Sequence, residues 1–311
     1  MTRFARYLLA ALTLIPATLA AQGTTAYDFL RNDVSARAAA LGGSFVSSVD
    51  DPNLIFYNPA GLASLSATRF SVGFFKELLD INAGYVSFGT EVPGLGSVGG
   101  GINYINYGDF QRTGEEGQNL GSFGAGDLSL TVGYAGELRS GLTYGINAKY
   151  IFSSIAEVHS SAIAVDLGTQ YTVIPERFLL GASILNLGTQ LDPYMTTRER
   201  LPLDVRIGAT IYPEHLPAAV MIGFHKFTDA QDNFGSHLTA FSLGVEFSAS
   251  PNFQLRLGYN NELHQELSLD SSAGLSGISL GVGILPGTYT VDYAFTSYGK
   301  IGSVHRISVS F

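Results

Sequence analysis

The chain has 311 residues, 46% of them hydrophobic and only 14% charged, with a formal net charge of −9. Such a chain is too apolar to be disordered and too acidic to bind nucleic acid, whose phosphates call for a basic surface. Beyond its N-terminus it has no apolar run of the roughly 18 residues that a membrane-crossing helix needs, while 37 glycines, 16 tyrosines and 20 phenylalanines, with no cysteine or tryptophan, suit closely paired strands with aromatic girdles.

In chain order, residues 1–20 read as a secretory signal peptide. Arg3 and Arg6 precede an apolar core over 7–15, Pro16 breaks it, and small residues lead to cleavage after Ala20 or Ala21. Residues 21–66 come next and are too long for a mere leader into a strand. Within them Asn32 or Asp33 is placed to cap a short helix through Val34, Ala36, Ala38 and Leu41, ended by Gly42 and Gly43. Asp50-Asp51-Pro52 and Asn58-Pro59-Ala60-Gly61 follow as bends, because proline restricts its own φ and the backbone before it.

From 67 to 311 the pattern has period 2, with turn residues between runs. Fourteen strands are predicted, at 68–76, 82–91, 97–107, 127–137, 141–153, 161–173, 178–187, 202–212, 217–227, 238–249, 253–260, 275–285, 288–298 and 303–311. Leu203, Val205, Ile207, Ala209 and Ile211 alternate with Asp204, Arg206, Gly208 and Thr210, and Val291, Tyr293 and Phe295 alternate with Asp292, Ala294 and Thr296. Each such strand has one oily and one wet side, which a closed transmembrane barrel presents to lipid and lumen respectively. The last strand stops on the aromatic Phe311, which reads as a signal to the barrel-assembly machinery.

Connections after even-numbered strands are short, and several after odd-numbered strands are long, notably 108–126, 188–201, 228–237 and 261–274. Outer-membrane barrels sort their loops this way, so the long loops are expected outside a Gram-negative cell and both chain termini in the periplasm. The wet side carries Lys149, Arg206, Arg256 and Arg306 against Asp166, Asp204, Glu246 and Asp292. Their signs cancel, as in a paired, hydrated lumen lining. About fourteen strands enclose more space than their own side chains fill, since roughly eight already close completely. Residues 21–66 are therefore expected to fold inward as a plug or hatch, with Asp50, Asp51, Pro52 and Asn58 to Gly61 fixing its bends.

Asp28-Phe29-Leu30, Ser35-Ala36-Arg37-Ala38-Ala39-Ala40-Leu41-Gly42-Gly43, Asp50-Asp51-Pro52 and Tyr57-Asn58-Pro59-Ala60-Gly61-Leu62 together resemble the N-terminus of the PorV/PorQ family. Asp292-Tyr293-Ala294-Phe295 and His305-Arg306-Ile307-Ser308 resemble that family's ending. The family sits within a wider FadL-like group of fourteen-stranded outer-membrane barrels that share an Asn-Pro-Ala hatch motif. This resemblance implies a docking or shuttle role in type IX protein secretion and surface attachment, with secretion subunits and the C-terminal domains of cargo as partners. The alternative implied by the wider group is a channel for uptake of hydrophobic small molecules.

Chemical motifs are weak. Gly94, Gly96 and Gly99 match a dinucleotide fingerprint in letters, but strand residues follow where the fingerprint needs a helix. The histidines lack a metal-ligand spacing, and no nucleophile motif is present. Asp229, Asp232 and Asn233 lack the spaced ligands of a calcium loop. The chain is therefore read as non-enzymatic, with no cofactor and no metal.

Overall fold

Each of fourteen antiparallel strands pairs with its neighbours in sequence, and β1 meets β14 to close a barrel without edges. The computed structural model describes residues 25–79, 81–228, 238–267 and 274–311. The signal peptide and Asp229, Asp232 and Asn233 lie outside the described residues. The strands are β1 Arg69–Lys76, β2 Asn82–Val92, β3 Gly96–Thr113, β4 Asn119–Arg139, β5 Leu142–Ile155, β6 Val158–Ile174, β7 Phe178–Asp192, β8 Asp204–Ile211, β9 Ala218–Phe224, β10 Phe241–Ser250, β11 Phe253–Asn260, β12 Ile278–Ile284, β13 Thr290–Ser297 and β14 Ser303–Ser310. All fourteen fall where the period-2 pattern places them, because alternation is a local property of the chain. Outward positions are apolar and exposed, for example Leu255, Leu257, Tyr293 and Ile307, while inward positions are buried.

Two expectations need correction. The stretch 108–126 is not a loop but mostly ladder: a bulge between Asn106 and Asp109 absorbs the break, after which Asp109 pairs with Gly124 and Phe110 with Phe123. Gly108, at φ 81°, supplies the backbone turn that the bulge needs. The stretch 261–274 is not all loop either, since Asn261–Leu267 is helical. Phe311 exchanges backbone hydrogen bonds with Phe70 at the short-turn end, whereas Thr25 bridges Arg200 beyond β7, at the long-loop end.

The wall is lopsided. Strands β3 to β7 run 14 to 21 residues, whereas β8, β9 and β11 to β14 run 7 or 8. One flank thus stands well above the roughly 9 to 11 residues that cross hydrocarbon.

Candidate functional site

Residues 25–66 descend through the lumen from the long-loop end and feed β1 at the other. The short helix Ala36–Ala40 is capped by Ser35, whose Oγ accepts from the Ala38 N–H at 3.1 Å. This corrects the expected Asn32 or Asp33 cap: Asn32 is instead turned to Glu77, its Nδ2 donating at 3.4 Å. Gly42 and Gly43 do end the helix, at φ 65° and 84°. Two 3₁₀ turns follow. Asp51 starts Pro52–Phe56, its Oδ1 accepting from the Asn53 N–H at 2.9 Å, and Asn58 starts Pro59–Ser64, its Oδ1 accepting from the Ala60 N–H at 3.2 Å. Asp50 takes a left-handed φ of 53° and holds Arg69 at 3.2 Å on the exposed rim.

These turns leave many carbonyls without intrahelical partners, and in a lumen they need donors. The wall supplies them. Asn147 donates to the Ile55 carbonyl at 2.8 Å, Gln170 to Ser48 at 2.8 Å, Ser183 to Tyr57 at 2.8 Å and Thr210 to Ser47 at 3.1 Å. In return Asn58, fully buried, donates to the Thr169 carbonyl of β6 at 3.1 Å.

Close approach is possible because the wall withdraws its side chains. A Cβ added to Gly145 or Gly168 would collide with Pro59 and Ala60, one at Gly181 with Val46, and one at Gly244 would lie 2.8 Å from the Leu41 carbonyl oxygen. Gly258 and Gly281 meet Gly42 and Ala40 in the same way. This belt of inward glycines is the feature that sequence reasoning missed. Its signal was present, as single glycines at wet-side positions of successive strands, but nothing local distinguishes them from turn glycines.

The lumen charges face inward, and seven of the eight stand in ion pairs. Lys149 meets Asp166 at 2.9 Å, Arg206 meets Asp204 at 2.6 Å, and Arg256 meets both Glu246 at 2.7 Å and Asp292 at 2.5 Å. Arg306 is buried too, donating to the Asp33 carbonyl at 3.1 Å and lying 4.9 Å from the Phe75 ring centre. Sequence reasoning missed Arg37, which reaches from the inner segment to Glu246 at 2.8 Å and to Asp51 at 3.2 Å. It was lost among alanines in a run with no visible partner.

Two cavities flank the segment. At the long-loop end one of about 190 Å³ is lined by Gly42, Gly43, Arg206, Ser242, Asn260 and Glu262 among others. At the short-turn end one of about 240 Å³ includes Arg37, Asp51, Pro52, Arg256 and Asp292. Glu262 stands outside the strands, where burial raises its pKa but hydrogen bonds with His225 at 2.9 Å and Lys226 at 2.7 Å outweigh that and hold it down at about 2. Among the described residues no His, Cys, Asp and Glu group is arranged to hold a metal ion.

The fold has counterparts among solved structures. The Pseudomonas putida toluene transporter TodX matches with a TM-score of 0.60 at 12% identity, over 89% of this chain and 96% of that one. The Ralstonia pickettii toluene transporter TbuX matches at 0.59 and 13%, over 89% and 96%. A Pseudomonas aeruginosa FadL homologue matches at 0.52 and 9%, over 90% and 98%. The fold is that of the FadL-like barrels. No protein-family description and no curated protein matches the sequence. The PorV/PorQ resemblance therefore has no support beyond its motifs, and the FadL-like part of that reading is the part that stands.

Proposed function

We propose that this protein is a Gram-negative outer-membrane barrel that admits hydrophobic small molecules. The observation that carries the reading is the fold, matched over 89% of this chain by proteins named as toluene transporters and by CymD, named as a monoaromatic hydrocarbon channel. The tall flank adds chemical support. By the register of the ladders, Phe110 and Phe123, stacked with ring centres 5.5 Å apart, and Ile155 with Val158 turn to the lumen side above the mouth, where an apolar solute leaving water would settle. In this reading the long loops face outward, the short turns face the periplasm, and barrel-assembly machinery inserts the chain. No chemistry is performed on the solute. The test is uptake of labelled toluene by Gram-negative cells with and without the gene. Equal initial rates in the two strains would sink the proposal.

A second reading, a docking component of type IX secretion, is favoured by the motif block from Asp28 to Leu62 and by the dense seal of the lumen, which suits a wall that holds partners better than one that passes solutes. Affinity capture from solubilised outer membrane separates the two: co-purified secretion subunits or cargo C-terminal domains support docking, and their absence from a protein that speeds toluene uptake rejects it.

A further inference from the structure

The inner segment is fastened to the wall by different chemistry on its two sides. Against β5 to β8 it is held by neutral donors, with Asn147, Gln170, Ser183 and Thr210 each on one of its carbonyls. Against β10 to β13 it is held by small-residue packing and by charge. Ala36, Ala39 and Ala40 pack on Ala294, and Arg37 grips Glu246 through two hydrogen bonds, Nε at 2.8 Å and Nη2 at 2.9 Å.

The two cavities approach each other along this second side. On β10 the upper cavity reaches Ser242, Gly244 meets Leu41, and Glu246 takes Arg37. On β11 the upper cavity reaches Asn260, Gly258 meets Gly42, and Arg256 lines the lower cavity. Four steps along the strand separate Asn260 from Arg256, about 13 Å at strand rise. Between the cavities stand Leu41, packed by backbone and side chain on Gly244, the Gly42 backbone and, beneath them, the ionic chain Asp51, Arg37, Glu246, Arg256, Asp292, with contacts of 3.2, 2.8, 2.7 and 2.5 Å.

We infer that this seam is a gated path for water and small inorganic ions, and that the Arg37–Glu246 pair is its latch. Where the two cavities approach each other, Ser242, Asn260, Glu246, Arg256 and Asp292 offer polar or charged groups, so the path suits hydrated solutes rather than hydrocarbons, and it is distinct from the uptake role proposed above. An ionic latch suits a gate. Each charge is satisfied while closed, and water entering from either cavity can take over the same hydrogen bonds when the segment moves, which it could not do for a greasy contact. The paired left-handed glycines Gly42 and Gly43 give the backbone at the barrier the freedom to swing.

The test is current through the full-length protein in planar lipid bilayers, with barrel folding checked by heat-resistant migration in gels. Glu246→Gln keeps the side-chain volume and removes the charge that two guanidiniums share. The wild type is expected to be almost silent and the folded variant to be open about tenfold more often, the factor that follows from losing one charge-assisted hydrogen bond. Arg37→Lys keeps the charge but loses the two-pronged grip, and gives a smaller rise in the same direction. It also serves if Glu246→Gln does not assemble. Arg112→Gln, which breaks the exposed Arg112–Glu157 pair on the tall flank, leaves the current unchanged. Folded Glu246→Gln and Arg37→Lys proteins as silent as the wild type would overturn the latch, and so would a wild type that already conducts freely.

Discussion

Asn58 and Thr169 lie 111 residues apart in sequence, and the Asn58 Nδ2 donates to the Thr169 carbonyl at 3.1 Å while also donating to the Val46 carbonyl at 2.8 Å. One amide thus ties two bends of the inner segment to each other and to β6. Its Oδ1 is occupied as well, by the Ala60 N–H.

Asn58→Ala removes all three hydrogen bonds and takes the side-chain acceptor from the Ala60 N–H, although the Val46 carbonyl keeps Gln170 as a donor at 3.3 Å. The expected loss is roughly 1–3 kcal/mol of unfolding free energy, read from urea titration of the refolded barrel, with increased ion leakage in reconstituted bilayers. Leakage equal to the wild type would remove Asn58 from any sealing role.

The glycine belt makes a sharper steric forecast. Gly145→Val places branched carbons where Pro59 and Ala60 already sit, an overpacking that costs about 1–3 kcal/mol or more. Gly124→Ala is the matched control, since its nearest neighbour would be 3.8 Å away and its backbone is not left-handed. Thermal unfolding in detergent should separate the two variants clearly. Equal midpoints would show that the segment does not lie against β5 in solution.

At the long-loop end, the helix Asn261–Leu267 is docked through Glu262 on His225 and Lys226. The Glu262 carboxyl is lowered from an ordinary 4.5 to about 2 in the folded protein. A depressed carboxylate stabilises above its unfolded pKa and loses that contribution as pH falls through the folded one. Docking of this helix is therefore complete above about pH 4.5 and weakens toward pH 2, among neighbours Asp204, Arg206 and Glu266 that share the cavity. Amide exchange in the helix should quicken over that window, and Glu262→Gln should remove the dependence. An exchange profile flat with pH in the wild type would contradict it.

Phe311 closes the seam. Its N–H donates to the Phe70 carbonyl at 2.9 Å, its carbonyl accepts from the Phe70 N–H at 2.7 Å, and the two rings stack at 5.7 Å. Phe311→Ala keeps both backbone bonds and loses the ring, half exposed, so the expected cost is modest, about 1 kcal/mol. If Phe311 is also read by assembly machinery, the folded yield in cells falls further than refolding in detergent does. Parallel losses in both settings would leave it a purely structural closure.

Strand number and strand sidedness were legible in the sequence, because alternation and turn residues act over a few positions and need no partner to be seen. The inward charges were legible for the same reason: Asp204 and Arg206 sit two apart on one face of β8 whatever surrounds them. Only the tertiary structure could choose Ser35 over Asn32 and Asp33 as the helix cap, since all three are good caps locally; in the fold Asn32 turns to Glu77 and the Asp33 carbonyl accepts from Arg306 of β14. Only the tertiary structure could bring Arg37 to Glu246, 209 residues away, or show that wet-side glycines make room for a backbone. Closing a barrel around its own leading segment sets contacts across the lumen, and contacts at that separation leave no periodic trace in the chain that makes them.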